Sequence, residues 1–394
     1  MVKRSAQLEV DLDLVVHNLR LVRKTLAAGP LRPDGTPPQV AAVLKGNAYG
    51  LGSVPVAGEL LSAGVEMLAV SCLPEALELR RAFPAAPILV MGHIPTEYLG
   101  AAAGAGIRTM LFDLDQAQAL SRVSETLGTR TPVHLKIDTG LNRLGIKPDA
   151  GTAQLIAHMA ALPGIHLEGI FTHLALRDEP SDTGQFRLFE RVLAEARVGG
   201  VEFPLRHACD SIGMLRYPEF RLDLVRVGGI LFGNKPLRTP SADALDVRTP
   251  VALRARISRV RLIAEGEGTS YDETWRAPKG GAWLATVPVG YADGYSRRLS
   301  TRAEAIVRGR RVPLTGLVMM DQLILDVTRV PEVEEGDEVL LLGRWGSDEI
   351  GIAELADWGG TNRNEVISTI GRRVPRVYHK AGKIDWECDY LDPA

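Results

Sequence analysis

From Val40 to Gly228 the chain alternates short runs rich in Val, Ile and Leu with longer stretches whose apolar residues recur at helical spacing. This texture predicts βα units around a parallel sheet, since a strand covered on both faces is apolar throughout and its covering helix on one side only. Eight strands are predicted: Val40–Lys45, Leu68–Cys72, Ile88–Met91, Arg108–Phe112, Val133–Asp138, Leu167–Thr172, Leu205–Cys209 and Leu222–Val227. Helical stretches such as Pro74–Ala82, Gln116–Leu127 and Gln185–Arg197 separate them. So many units in so short a span suit a closed (β/α)8 TIM-type barrel; an open Rossmann-like sheet is the alternative.

Past Gly233 the pattern changes to strands without intervening helices: Val251–Ala264, Trp283–Val289, Glu304–Leu314, Gln322–Val327 and Glu338–Leu342, with turns at Asp293-Gly294 and Glu335-Gly336-Asp337. The chain is therefore read as α/β, with a barrel over residues 1–240 and a mostly β domain over 241–394, the boundary falling in the Pro and polar cluster Pro236–Asp243. A length of 394 residues suits one large and one smaller domain.

Charge narrows the partners. A formal net charge of -2 gives no long-range field to hold a nucleic-acid backbone or an anionic membrane, so a small substrate is expected. Cys72, Cys209 and Cys388 are odd in number and far apart, which indicates neither a disulfide framework nor a metal site. The start of the chain reaches Glu9, Asp11 and Asp13 before any apolar run, unlike a secretory signal, and no window of about 18 apolar residues occurs. A cytoplasmic location is the expectation.

Barrel enzymes place their chemistry at the C-terminal ends of the strands. Lys45 ends an apolar run there, in AAVLKGNAYG. It reads either as a snorkelling lysine or as an amine partly desolvated so that its neutral form can attack an aldehyde. Lys136, Asp138 and Arg143 put two cations and an acid on the same rim, and Thr172-His173 ends the sixth strand. Ser211, Gly228 and Gly229 follow the seventh and eighth strands, where barrels commonly bind phosphate, although glycines there can be plain turn residues.

These residues lie in motifs that, taken together, resemble the alanine racemases, pyridoxal-phosphate enzymes of fold type III. The motifs are AVLKGNAYGLG at 42–52, KIDTGLNRLGI at 136–146, IFTHLA at 170–175, VRVGG at 225–229, PVGYADGYSR at 288–297, MDQ at 320–322 and GRRVPRVY at 371–378. The resemblance covers nearly the whole chain. It implies an isomerase that interconverts L- and D-alanine, supplying D-alanine for peptidoglycan precursors, with pyridoxal 5'-phosphate as cofactor and a homodimer with shared sites. Under it, Lys45 forms the Schiff base with the cofactor and acts as base on one face of the substrate carbon, while Tyr271 of the partner subunit acts on the other. Tyr49, Ser211, Gly228 and Gly229 look like phosphate ligands. Arg226 is similar to the arginine facing the pyridine nitrogen, and His173 to its neighbour. Arg143 resembles the residue contacting the cofactor phenolate and the substrate carboxylate, and Lys136 a lysine carbamylated in many members. Met320 and Asp321 resemble partner-chain residues bordering the substrate pocket, and Tyr291 with Arg297 part of the entry corridor. Simple packing roles for Tyr271 and Met320 are the alternative.

The chain departs from the family pattern at Asn364, where a tyrosine is usual, at Leu317 and Met319, where arginine and cysteine are frequent, and at Asp210, where asparagine is common. The first puts strict alanine preference in doubt, so a broad-specificity or serine-preferring racemase is the nearest rival. A decarboxylase of the same architecture, and a barrel-only pyridoxal-phosphate carrier without catalysis, are more distant ones.

Overall fold

The computed structural model describes residues 4–235 and 245–391, so the boundary expected within Pro236–Asp243 lies outside the described residues. Strand β1 (Ala6–Asp11) opens the chain and leads into a helix, Leu12–Ala27, whose start is capped by Asp11 Oδ1 accepting from the Leu14 amide at 3.0 Å. Ala6, Leu8 and Val10 are buried while Gln7, Glu9 and Asp11 are not, the alternation of a strand with one wet face. β1 joins the C-terminal sheet, antiparallel to Val251–Arg256 and parallel to Arg376–Lys380. The two halves of the chain are thereby woven together, an arrangement outside the βα pattern that begins at Val40.

The barrel strands are β2 (Gln39–Val43), β3 (Met67–Val70), β4 (Ile88–Val90), β5 (Arg108–Leu111), β6 (Thr131–Lys136), β7 (Ile165–Phe171), β8 (Leu205–His207) and β9 (Leu224–Val227). Each predicted strand has its counterpart. They pair in parallel from β2 to β8, with β9 against β2. Across the remaining gap, Asp223 N donates to Arg206 O and Arg226 N to Cys209 O, both at 3.0 Å, so the barrel is nearly closed. Ala41, Val43, Met67, Ala69, Leu89 and Leu224 pack together inside, and the alternate residues pack outward against the helices. Several strands end one or two residues early. Lys45, Asp138 and Thr172 consequently stand on the rim rather than in the ladder.

In the C-terminal half, one sheet runs in the order Arg310–Pro313, Glu304–Val307, Glu338–Trp345, Val251–Arg256, β1, Arg376–Lys380, Lys383–Cys388. A second contains Arg259–Ile263, Ala282–Val287 and Leu323–Asp326. The run predicted as one strand, Val251–Ala264, is two: at Ile257 and Ser258 the backbone turns from Asp337 toward Thr286 and changes sheets. Glu304–Leu314 is likewise a hairpin, because Arg308 (φ 48°) and Gly309 (φ 73°) form a left-handed two-residue turn that matches the twist of its strands.

One buried cation ties the halves at the barrel mouth. The Arg376 guanidinium donates to Gly50 O (2.8 and 3.1 Å), Ile370 O (2.6 Å), Gly371 O (2.6 Å) and Val374 O (2.5 Å). Arg376→Met should leave these acceptors unmet at about 1–3 kcal/mol each. Allowing for relaxation, the expected loss of stability is at least ~3 kcal/mol. Urea denaturation checks this, and an unchanged midpoint would contradict it.

Candidate active site

The segment after β2 has an unusual backbone. Gly46, Asn47, Ala48 and Tyr49 all lie in the left-handed region, with φ of 65, 57, 53 and 55°. Left-handed turns cost about 1–2 kcal/mol per non-glycine residue, so outside contacts must hold this one. Ser53 N donates to Asn47 Oδ1 (2.8 Å), Asn47 Nδ2 to the Tyr390 hydroxyl (2.8 Å), and Gly46 N to Glu75 Oε1 (2.6 Å). Arg376 grips Gly50, and the Tyr378 hydroxyl donates to Leu51 O at 2.8 Å. The turn sets Lys45 and Tyr49 at the mouth together.

Lys45 is exposed there, yet protein surrounds its amine closely enough that burial, then Arg143, lowers its pKa against the opposing pull of Glu75 and Asp210. Lys136 is buried, donates to Ile137 O at 2.6 Å, and lies 5.5 Å from the Phe171 ring centroid. Burial foremost, with Arg226 and Arg143 outweighing Asp138, brings its pKa to about 7. Asp138 holds the loop before the exposed Arg143 by accepting from Gly140 N and Asn142 N, each at 3.0 Å.

Arg226 is buried at the end of β9. Its Nη2 donates to Thr172 O and Ala208 O, both at 2.9 Å, and approaches His173 Nδ1 at 3.3 Å; its Nη1 donates to His207 Nδ1 at 2.8 Å. Burial lowers its pKa to about 10, which leaves it a cation at neutral pH. Burial, then Arg226, Arg143, Lys136 and Lys45, hold His173 neutral with a pKa of about 3.

Beside it lies a cradle of small residues. Gly228 N donates to Ser211 Oγ at 3.2 Å, and a Cβ on Gly228 would fall 2.6 Å from the Tyr49 hydroxyl. A Cβ on Gly229 would crowd Asn234 and Asn364 at 3.3 Å. Both glycines therefore let Tyr49, Asn234 and Asn364 close in on the backbone beside the Ser211 hydroxyl, which gathers amides, a hydroxyl and a phenol, the donor set a phosphate requires. Burial pushes the Tyr49 phenol up to about 12, so it stays a donor. With a desolvated lysine at one end, the cradle at the other and a buried arginine beside them, the residues fit pyridoxal phosphate.

The candidates of the β domain stand on its own turns and loops. Tyr271 stands in a strained turn between Ser270 (φ 64°) and Asp272 (φ 61°), and the Ser270 hydroxyl donates to Leu317 O at 2.8 Å. Tyr291 N donates to Met319 O and Ala292 N to Met320 O, both at 3.0 Å, an approach that a Cβ on Gly290 would block at 2.3 Å. Asp321 pairs with Arg373 at 2.8 Å, and Arg297 Nη1 reaches Val318 O at 3.5 Å. Tyr271, Met320 and Tyr291 are 65, 53 and 41% exposed. Among the described residues, no hydrogen bond or ion pair joins them to Lys45, Arg143 or Arg226.

The family departures are physically mild at three positions. Asp210 Oδ1 accepts from Ile212 N and Gly213 N at 2.9 Å, bonds that an asparagine oxygen would also accept. Leu317 and Met319 contribute carbonyls, which any residue supplies. Asn364 differs, since its Oδ1 accepts from Asn234 Nδ2 at 2.6 Å beside the cradle. Sequence reasoning assigned no role to Arg376, Asn47 or Glu75.

Among the described residues, no group of three His, Cys, Asp or Glu side chains is placed to hold a metal ion, and no helix is long and apolar enough to cross a membrane. Residues 10–236 match the family model described as alanine racemase, N-terminal domain, and residues 250–378 that described as alanine racemase, C-terminal domain. An alanine racemase of Desulforamulus reducens is 39% identical over 373 residues, covering 94% of this chain and 98% of that protein. One of Symbiobacterium thermophilum is 40% identical over 375 residues, covering 94 and 96%. Among solved structures, alanine racemase of Clostridium difficile superposes with a TM-score of 0.90 at 30% identity, over 99% of this chain and 100% of that one. That of Bacillus anthracis, with bound L-Ala-P, gives 0.88 at 32% identity, over 99% of each.

Proposed function

The chain belongs to the alanine racemase family, and from that premise we propose that it interconverts L- and D-alanine with pyridoxal 5'-phosphate, as a cytoplasmic homodimer with shared sites. The observation that carries this reading is the rim itself, which brings together a desolvated Lys45, a buried cation, Arg226, and a cradle of Ser211, Gly228, Gly229 and Tyr49.

Lys45 would hold the cofactor through its amine, the cradle its phosphate, and Arg226 would stand at its ring nitrogen with His173 alongside. Bound there, pyridoxal phosphate withdraws electrons from the substrate nitrogen and so acidifies the adjacent Cα–H. Racemisation takes a proton from one face of Cα and returns one to the other, which two acid/base groups on opposite faces accomplish. Lys45 serves one face. Tyr271, exposed and among the described residues without a hydrogen bond to Lys45, serves the other from the partner subunit. Arg226 keeps its protons at neutral pH and so leaves the ring nitrogen unprotonated, a weaker electron sink suited to moving one proton without side reactions. Arg143 orients the substrate carboxylate. Lys136, partly neutral at pH 7, is the candidate to add carbon dioxide as a carbamate that steadies Arg143. Met320, Asp321 and Tyr291 border the substrate and its approach. A barrel-only carrier would lack the residues matched to the C-terminal domain.

The test is a chiral assay of purified, pyridoxal-phosphate-loaded protein. L-Alanine alone should approach equal amounts of both enantiomers, as should D-alanine. Loss of total alanine, with release of carbon dioxide or pyruvate, would contradict racemisation.

Asn364 favours a second reading of specificity. An amide in place of a phenol opens space and offers Nδ2 as a hydrogen-bond donor to a substrate hydroxyl. One hydrogen bond contributes ~0.5–1.5 kcal/mol net, so the serine-to-alanine ratio of kcat/KM should exceed that of the Asn364→Tyr protein by roughly 2- to 13-fold. Equal changes for both substrates would mean that Asn364 acts on the cradle through Asn234 instead.

A further inference from the structure

Beneath Arg226 the barrel interior contains a continuous line of polar side chains that the reaction above does not use. Arg226 Nη1 meets His207 Nδ1 at 2.8 Å; His207 Nε2 meets His134 Nδ1 at 2.8 Å; His134 Nε2 meets Glu168 Oε2 at 3.0 Å. Arg108 closes the line, its Nε and Nη2 donating to the two Glu168 oxygens at 2.6 and 3.0 Å. Both imidazoles are fully buried.

The fold is shaped around this line. The β6–β7 pairing slips by one residue, from Val133 opposite Leu167 to His134 opposite Gly169, so that Glu168 is the extra residue on β7. Gly169 leaves room for the His134 ring, since a Cβ there would fall 2.5 Å from His134 Nδ1. Phe171 stacks on His207 with centroids 4.7 Å apart and planes 3° from parallel.

The hydrogen-bond chemistry permits one direction only. Arginine has no acceptor, so His207 Nδ1 must offer its lone pair. Burial keeps both imidazoles below their ordinary pKa, His207 well below, so each carries one ring proton. His207 then donates from Nε2 to His134 Nδ1, and His134 donates from Nε2 to Glu168. Burial pushes the Glu168 carboxyl up, but the hydrogen bonds from His134 and Arg108 outweigh it and bring the pKa to about 2, so the far end is a fixed acceptor. Reversing the protons would set an N–H of His207 against an N–H of Arg226 and a lone pair of His134 against a carboxylate.

We propose that Glu168 is a positioning residue: through His134 and His207 it fixes one imidazole tautomer, which presents a lone pair to Arg226 and holds the guanidinium in a single orientation. That orientation commits the two Nη2 protons to Thr172 O and Ala208 O, close to His173, and one Nη1 proton to His207. Among the described residues, Nε has no protein acceptor and stays free for the group bound at the mouth. The kinetic part of this proposal rests on the racemase reading; the tautomer part does not.

The experiment compares pyridoxal-phosphate-loaded wild type, Glu168→Gln and Glu168→Leu. An amide oxygen still accepts from His134, whereas leucine offers no acceptor. Both variants lose the carboxylate that pairs with Arg108, and Glu168→Leu, which also leaves the buried His134 N–H unmet, should lose more thermal stability than Glu168→Gln. Selective 15N-histidine labelling should show His134 and His207 in the wild type as Nε2–H tautomers with pyridine-like Nδ1. Glu168→Gln should keep that signature and a kcat within about 3-fold of wild type, a change small enough to leave orientation intact. Glu168→Leu should lose the signature and drop kcat by roughly 10-fold or more with little change in KM, as when a carboxylate behind a metal-bound histidine is removed. An Nδ1–H or protonated imidazole in the wild type overturns the proposal, as does equal kcat in the two variants. A wild type that fails to racemise alanine would instead overturn the racemase reading, while the nitrogen shifts still judge the tautomer chain.

Discussion

Lys45→Ala protein is expected to fold normally and to lose racemisation by roughly 10⁴-fold, the upper end of what an acid/base group contributes. The loss should be large because one side chain is asked both to hold the cofactor and to move the proton on one face. Folding should be spared because the Lys45 side chain is exposed at the rim, and the left-handed turn is held by Asn47, Gly46, Gly50 and Leu51 instead. Burial and Arg143 lower the pKa of this amine, enriching the neutral form that attacks an aldehyde. The purified variant should therefore also lose borohydride-reducible attachment of pyridoxal phosphate. Persistent attachment would move the role elsewhere, with the buried Lys136 the next candidate.

The second large effect concerns assembly. Tyr271→Phe alone should cost roughly 10²- to 10⁴-fold, yet coexpressing it with Lys45→Ala should restore activity. In a twofold dimer whose sites each combine one chain's Lys45 with the other's Tyr271, a mixed dimer has one complete site and one with neither base. Random pairing makes about half the dimers mixed, so activity should recover to about a quarter of wild type. The exposure of Tyr271, Met320 and Tyr291 on a single chain is what such an arrangement would cover. Mixed dimers isolated with two different tags, and as inactive as either parent, would refute the shared site.

The barrel was legible because its strands are nearly uninterrupted apolar runs, and Lys45 stood out as a cation ending one of them. The β domain was less legible. Strand β1 shows its alternation over only six residues, and its partners Val251–Arg256 and Arg376–Lys380 lie far along the chain. The corner at Ile257-Ser258 is hidden because polar and apolar residues alternate over 253–258 and again over 259–262, with no Gly or Pro to mark a break. Periodicity carried no signal for Tyr271, an exposed loop residue that only the family resemblance singled out. Glu168 and His134 escaped for a different reason: each is a single polar residue between non-polar neighbours in a strand, and nothing in the sequence joins them to His207. Only the closed barrel brings β6, β7, β8 and β9 into register and reveals that they form one line to Arg226.

The central claim is that two bases, Lys45 and Tyr271, work on opposite faces of one carbon. Incubating Tyr271→Phe protein with L-alanine and, separately, D-alanine in deuterium oxide tests it most directly. With Lys45 alone remaining, one enantiomer should take up deuterium at Cα with its configuration retained, while the other exchanges far more slowly and racemisation is nearly lost. Racemisation at close to the wild-type rate, or equally fast exchange of both enantiomers, would contradict the two-base account.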